Sequence, residues 1–310
     1  MKGRGLMKKM MRFIRNIVLL AVVLSVALLV TGQSDWNVKE LFSSGNSDGY
    51  ASQHIYLLDR DSGKAVFEKD ATSKAYPASL TKIMTTLVAL EHIDDLSAGA
   101  PVDVQTYQAM VAQNASMAGF YGREAVTYRD LLYGTMLPSG GEAANSLAIN
   151  VAGSREKFVR LMNEKAAALG MTKTHYSNPE GLHDPEQYTT AADMAKLLDH
   201  ALGNQNFRAI FTKPAFTTTA TADHPAGIQL KSTVLSSLHP EEQHGFTIIG
   251  GKSGTTYEAG QCWATLSTAD GREYINVVMG APLEDVSHPD FAQKRDTLKL
   301  LGQAVAGGFK

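Results

Sequence analysis

A hydroxyl and an amine lie three residues apart at Ser79 and Lys82. Pro77 precedes them and residues 80–90 are mostly apolar, which predicts a largely buried helix that begins here. Residues three apart share a helix face, so the two side chains can meet. Serine is a weak nucleophile unless a base takes its proton, and lysine is such a base only when its pKa is lowered. The alternative is that Ser79 caps the helix and Lys82 extends into water.

Two later segments carry further polar groups. Ser139 follows Pro138 and precedes Gly140 and Gly141, a composition that is also typical of a turn or a helix cap. The segment 250–256 (GGKSGTT) follows residues 246–249 (FTII), and the pattern predicts a β-strand over 246–251. Its glycines allow another backbone or a ligand to approach closely, and Lys252 could bind a carboxylate. The local alternative for this segment is a strand end and a turn.

Composition excludes several classes of protein. Residues 1–32 hold six basic and no acidic residues, whereas the whole chain has 29 basic and 31 acidic residues, so the remainder is acidic and does not suggest nucleic-acid binding. The nine histidines form no His-Glu-x-x-His motif, and we interpret His175 and His183 as loop structure rather than metal ligands. Cys262 is the single cysteine, so no internal disulfide is expected.

The order of the elements predicts an α+β fold. Basic and then apolar residues predict a signal peptide or a membrane anchor in 1–32, followed by a polar linker over 33–50. Residues 51–310 then give a β-hairpin, several helices, several strands and a closing helix, which favours an antiparallel sheet flanked by helices. A mainly helical lobe, about 86–213, is inserted in the α/β lobe.

Taken together, the three segments are similar to the S-x-x-K, S-x-N and K-[TS]-G motifs of penicillin-binding proteins and class A β-lactamases. The chain resembles a low-molecular-mass penicillin-binding protein, a serine-type D-alanyl-D-alanine carboxypeptidase, over about residues 52–305. The segments that carry the resemblance are 77–85 (PASLTKIMT), 130–134 (DLLYG), 178–184 (NPEGLHD), 188–191 (YTTA) and 251–256 (GKSGTT) with Ala259 and Gly260. The resemblance implies a transpeptidase-like fold shared with the β-lactamases.

The resemblance also implies roles for individual residues. Ser79 attacks the D-Ala-D-Ala peptide bond of a peptidoglycan stem peptide, and Lys82 takes its proton. Ser139 relays a proton to the leaving D-alanine. The substrate is bound by the third motif (Lys252, Ser253, Gly254 and Thr255), whose Lys252 and Thr255 hold the substrate carboxylate. The backbone N–H groups of Ser79 and Thr255 form the oxyanion hole. The resemblance implies acylation by β-lactam antibiotics and no cofactor or metal.

One position departs from the family pattern. The second motif usually ends in Asn, whereas this chain has Gly141; Asn145, one helical turn later, could reach in but is expected to pack or cap. A β-lactamase is a weaker alternative, since no Glu-x-x-Leu-Asn segment lies between Ser139 and Lys252. A catalytically impaired peptidoglycan-binding or β-lactam-sensing protein is another. We expect an exported protein, anchored through residues 13–32 or secreted after cleavage.

Overall fold

The computed structural model describes residues 49–309, so the predicted signal peptide or anchor and all but the last two residues of the predicted linker lie outside the described residues. This part of the chain forms strands and α-helices with the following bounds. They are β1 (His54–Asp59), β2 (Lys64–Lys69), α1 (Thr81–His92), α2 (Val104–Ala112), α3 (Tyr128–Met136), α4 (Gly141–Ala152), α5 (Arg155–Ala168), α6 (Ala191–Ala201), α7 (Gln205–Phe211), β3 (Ala215–Thr217), β4 (Gln229–Lys231), β5 (Thr247–Thr256), β6 (Gly260–Ala269), β7 (Arg272–Ala281) and α8 (Ala292–Val305). Between residues 49 and 309, no helix has the length and apolar character needed to cross a membrane.

Five strands form one antiparallel sheet in the order β2-β1-β7-β6-β5. The β1–β2 hairpin turns at residues 60–63, as the sequence predicts. β1 pairs on its other side with β7, so that Ile55 lies opposite Val278. The predicted α+β fold with an antiparallel sheet is therefore confirmed.

Helices cover both faces of this sheet. α8 packs on β6 and β7, where Trp263, Val278, Leu300 and Leu301 form one buried cluster. On the other face, α6 packs against β1 and β7, and a larger cluster extends from the sheet into the helices. Because both faces are covered, successive residues of β6 are buried on both faces along most of the strand.

α1 lies at the centre of the helical part. Ten of its residues, 81–90, are buried, and it contacts α3, α4, α5, α6 and α7. A helix surrounded in this way must be apolar on every side, which accounts for the dense apolar run in the sequence. Lys82 is the one charged residue of that buried run.

The structure differs from the sequence predictions at several elements, of which three bear on the site or on its surroundings. β5 does not end at Gly251 but continues to Thr256, because residues 250–256 pair with β6 along their length. α2 was not predicted, since only Thr106 and Met110 of this helix are buried and its apolar periodicity is weak. α7 is likewise a helix where none was predicted, capped by the side chain of Asn204.

Asp130 joins the helical part to the β3–β4 hairpin. It is fully buried, and its Oδ2 accepts hydrogen bonds from the N–H and the hydroxyl of Thr127 in a capping box at the start of α3. Its Oδ1 accepts from the N–H of Thr219, just after β3, at 2.9 Å.

We expect Asp130→Ala to lower the free energy of unfolding by about 2–4 kcal/mol, because it leaves three donors without their acceptor. Thr127→Ser, which keeps the capping hydroxyl, should change it by only about 0.5 kcal/mol. Urea denaturation of both variants measures this. Equal effects of the two substitutions would contradict the role assigned to Asp130.

Candidate functional site

Ser79 lies in a 3₁₀ turn (Ala78–Leu80) that leads directly into α1. Ala78 has a φ of 46°, in the left-handed region, and its carbonyl accepts a hydrogen bond from Thr81 Oγ1 at 2.8 Å. The turn therefore holds Ser79 at the N-terminal end of α1. Lys82 Nζ donates to Ser79 Oγ at 3.0 Å, so the structure brings the predicted pair together.

Lys82 is 3% exposed and its Nζ also donates to the backbone carbonyl of Glu180. Burial lowers the pKa of Lys82 to about 8, while the charges of Glu180 and Glu142 act in the opposite direction. A lysine whose pKa lies this near neutrality can accept a proton from a serine hydroxyl. The carboxylate of Glu180 is itself paired with Arg155 at 3.2 Å.

The loop that supplies this carbonyl is fixed on α1. Thr85 Oγ1 donates to Pro179 O at 2.6 Å, and the N–H of Gly181 donates to Asn178 Oδ1 at 2.7 Å. Gly181 has a φ of 87°, and a Cβ at this position would lie 2.1 Å from Ala78 O. The loop thus packs directly against the turn that carries Ser79.

β5 approaches the same turn from the sheet. A Cβ at Gly254 would lie 2.9 Å from the backbone nitrogen of Ser79 and 3.1 Å from that of Leu80. Only glycine permits this distance, so the predicted close approach at Gly254 is made by the chain itself. Thr255, the next residue of β5, lines a cavity together with Ser79 and Lys82.

Lys252 is fully buried in β5, and its Nζ donates to Ser253 O at 2.8 Å. Burial, and then the charge of Lys82, lower the pKa of Lys252 well below its usual value. The two ammonium groups are therefore coupled, because a proton on one lysine opposes a proton on the other. The hydroxyl of Ser253 forms a hydrogen bond with Thr233 Oγ1 at 2.7 Å.

Ser139 precedes α4 and has a φ of 69°. Its Oγ is buried, and within residues 49–309 it has no hydrogen-bond partner. The N–H of Thr233 donates to Leu137 O at 3.1 Å, so the loop of Ser139 is tied through Thr233 to Ser253 on β5. The structure therefore leaves the Ser139 hydroxyl available to another group, although Ser139 does not line the cavity itself.

The cavity has a volume of ≈ 290 Å³. Besides Ser79, Lys82 and Thr255, it is lined by three loop segments: 114–116 after α2, 180–182 before α6, and residues 286–287 before α8. Residues 180–182 lie in one of the segments that carry the resemblance. No sequence pattern indicates residues 114–116 or 286–287, because their position depends on contacts distant in sequence.

Gly141 also lines this cavity. The Met110 side chain fills the space that a side chain at position 141 would need. A Cβ at Gly141 would lie 2.9 Å from Met110 Sδ, a buried atom of α2. Asn145 is fully buried and its Nδ2 donates to Gly141 O at 2.9 Å. Asn145 therefore packs inside the protein, as expected, and does not replace the amide that Gly141 lacks.

His175 and His183 both contact other residues of the structure. His175 Nδ1 lies 2.7 Å from Glu186 O, and His183 packs edge-on against Tyr76 with its Nδ1 4.0 Å from Glu258 Oε2. Among residues 49–309, no three His, Cys, Asp or Glu side chains are grouped so that they could hold a metal ion.

A serine at a helix N-terminus, paired with a buried lysine and flanked by an edge strand, defines an active-serine site of the penicillin-recognising type. Comparison with known families agrees: the model of peptidase family S11, described as D-alanyl-D-alanine carboxypeptidase, matches residues 42–283. The chain belongs to this family.

Two curated relatives carry the same description, and a similar solved structure is described as a DD-transpeptidase. The chain is 31% identical over 248 residues to D-alanyl-D-alanine carboxypeptidase DacB2 of Mycobacterium tuberculosis, covering 79% of this chain and 80% of that one. It is 34% identical over 146 residues to D-alanyl-D-alanine carboxypeptidase DacF of Bacillus subtilis, covering 47% of this chain and 38% of that one. The DD-transpeptidase of Streptomyces (strain K15) superposes with a TM-score of 0.73 at 29% identity, covering 83% of this chain and 98% of that one.

The contact of Gly181 with the Ser79 turn gives a testable prediction. Gly181→Ala should lower the free energy of unfolding by more than about 3 kcal/mol, because its Cβ would overlap Ala78 O. Gly63→Ala is the matched control: it has a φ of 68° but open space around the added Cβ, and should cost about 1–2 kcal/mol. Thermal and urea unfolding measure both. Equal losses would show that the packing at Gly181 is not tight.

Proposed function

We propose that this chain is a serine D-Ala-D-Ala carboxypeptidase that removes the terminal D-alanine from peptidoglycan stem pentapeptides through an acyl-enzyme on Ser79. The observation that carries this proposal is the 3.0 Å hydrogen bond from Lys82 Nζ to Ser79 Oγ, made by a buried lysine whose pKa lies at about 8. Family membership supplies the substrate class.

Acylation uses the two groups at the start of α1. Ser79 Oγ attacks the carbonyl carbon of the D-Ala-D-Ala bond while Lys82 Nζ takes the hydroxyl proton. The oxyanion that forms accepts hydrogen bonds from the backbone N–H groups of Ser79 and Thr255. The close approach of Gly254, the residue before Thr255, to the backbone nitrogen of Ser79 supports this pairing. The partial positive charge of the helix N-terminus favours the same oxyanion.

The third motif binds the substrate. Lys252 and Thr255 Oγ1 hold the terminal carboxylate, while Ser253 and Gly254 shape the strand along which the peptide lies. A carboxylate at Lys252 stabilises a proton on that lysine, and this charge in turn lowers the pKa of Lys82. Substrate binding would therefore favour the neutral Lys82 that the attack requires.

Departure of D-alanine requires a proton on its amine. Ser139 Oγ relays that proton from Lys82; its buried hydroxyl, which has no hydrogen-bond partner among residues 49–309, supports this role. The C–N bond breaks, D-alanine leaves, and a water molecule then hydrolyses the ester on Ser79 with Lys82 again as base. β-Lactam antibiotics would acylate Ser79 by the same attack, since their ring amide takes the place of the peptide bond.

A second candidate is acyl transfer to an amine instead of water. It is favoured by the likeness to a protein described as a DD-transpeptidase, over 83% of this chain. The two reactions share the acyl-enzyme and differ in the group that attacks it. Comparing free D-alanine with cross-linked product, in the presence of an added amine acceptor, separates them.

We also propose that residues 51–310 form the catalytic domain of an exported protein. The basic and apolar residues of 1–32 support an export signal or a membrane anchor, and the polar residues of 33–50 support a linker. Peptidoglycan lies outside the cytoplasmic membrane, so its hydrolysis requires the catalytic domain to lie there too.

The nucleophile is tested with benzylpenicillin. The purified chain should gain the mass of one penicilloyl group, whereas Ser79→Ala should gain none and should release no D-alanine from a peptide ending in D-Ala-D-Ala. Ser73→Ala, an exposed serine outside the cavity, is the control and should behave as the unmodified chain. Intact mass spectrometry detects the penicilloyl adduct. An adduct on Ser79→Ala would show that another residue is the nucleophile.

The role of Lys82 as base predicts a pH profile. Below a pH of about 8, the kcat/KM for release of D-alanine should fall tenfold per pH unit, because protonated Lys82 cannot accept the serine proton. Glu180→Gln removes a negative charge that raises the pKa of Lys82, so the fall should begin at lower pH.

The control for this profile is Glu91→Gln, which removes a carboxylate paired with Lys165 away from the cavity. Glu91→Gln should leave the pH dependence of kcat/KM unchanged. A profile of Glu180→Gln that stays unmoved, or moves to higher pH, would show that the group in the profile is not Lys82.

A further inference from the structure

Glu180 binds Lys82 through its main chain and Arg155 through its side chain. Its backbone carbonyl accepts the hydrogen bond from Lys82 Nζ, and its two carboxylate oxygens lie 3.2 and 3.4 Å from Arg155 Nη2. Glu180 is 3% exposed, so its carboxylate needs a partner inside the protein. The pair with Arg155 meets this need and connects the guanidinium, through one residue, to Lys82.

Arg155 is the first residue of α5, and the start of this helix is fixed in place. Ser154 caps the helix, because its Oγ accepts from the N–H of Lys157 at 3.2 Å. α5 also packs against α4 and against α1, the helix that carries Lys82. The guanidinium therefore reaches the Glu180 carboxylate from a helix whose position relative to Lys82 is set by packing.

Three charged side chains act on Lys82 from three different elements. The carboxylates of Glu180 and Glu142 favour its protonated form, whereas Lys252 on β5 opposes it. Glu142 Oε1 accepts two backbone N–H groups, and its Oε2 has no hydrogen-bond partner within residues 49–309. Glu180, in contrast, is paired with the positive charge of Arg155. This pairing opposes the effect of one of the two carboxylates on the lysine.

We propose that Arg155 is a positioning residue for Lys82: it holds the Glu180 carbonyl on Lys82 Nζ and offsets the negative charge of the Glu180 carboxylate. Arg155 does not line the cavity that contains Ser79, so it acts on the reaction only through Glu180. This inference rests on the proposed function, because it concerns the base of that reaction. It predicts that Arg155 keeps Lys82 able to accept a proton near neutral pH.

The test measures kcat/KM for release of D-alanine against pH in the unmodified chain and in four variants. Arg155→Gln removes the charge, and Arg155→Lys keeps it. The double variant Arg155→Gln with Glu180→Gln removes both charges of the pair. Arg160→Gln is the matched control: Arg160 lies exposed on the same helix, and its Nη1 donates to Glu156 O at 3.4 Å. Circular dichroism and urea unfolding compare the folding of the five proteins.

In Arg155→Gln the Glu180 carboxylate acts on Lys82 unopposed, so the fall in kcat/KM on acidification should begin about 0.5 pH unit higher. This movement corresponds to a kcat/KM about threefold lower at pH 7. Arg155→Lys should move the fall less, because the charge remains. The double variant should return the fall to within about 0.2 pH unit of that in the unmodified chain, since it removes both opposing charges. Arg160→Gln should not move it.

A structural effect alone would lower kcat/KM at every pH and leave the fall where it is, and this result for Arg155→Gln would overturn the inference. A fall that moves to lower pH, or does not change, would do the same. So would a double variant that keeps the full movement, or an equal movement in Arg160→Gln. An unmodified chain that releases no D-alanine at any pH would instead overturn the proposed function, and this inference with it.

Discussion

The site depends on how closely β5 approaches the turn that carries Ser79. Because Gly254 has no side chain, the strand backbone lies directly against the backbone nitrogens of Ser79 and Leu80. This contact joins the sheet to the N-terminal end of α1, the helix around which the other helices pack. Ser79, in the turn before α1, and Thr255, on β5, thereby line one cavity, and the packing of the strand against the turn sets their relative positions.

Buried charge is the cost of this arrangement. Lys82 and Lys252 are both almost fully buried, and so are the carboxylates Glu142 and Glu180, with 3% exposure or less. Burial lowers the pKa of each lysine and raises that of Glu142, which shows that the charged forms are unfavourable here. Buried ionisable side chains of this kind lower the local stability of the fold. Their shifted pKa values are the ones that proton transfer during acyl transfer requires.

The sequence predicted those parts of the structure that depend on local pattern. The Ser79–Lys82 contact follows from helical spacing, and the hairpin and α1 follow from apolar periodicity and turn residues. The continuation of β5 to Thr256 was missed because glycines weaken the strand signal, although pairing with β6 overrides it. The positions of the 114–116 loop, of the Glu180 carbonyl and of the Met110 side chain beside Gly141 depend on contacts between distant segments, which no spacing in the sequence reveals.

The sheet joins the two ends of the described chain. β1 lies between β2 and β7, with Ile55 opposite Val278. One neighbour of β1 is therefore the next strand along the chain, and the other is the last strand of the sheet. During synthesis, the β1–β2 hairpin must remain without its second neighbour until residues 272–281 have emerged, and long-range pairing of this kind folds slowly. The five-stranded sheet therefore cannot close until β7 has been synthesised, and the Ser79 turn has no β5 wall before residues 247–256 are present.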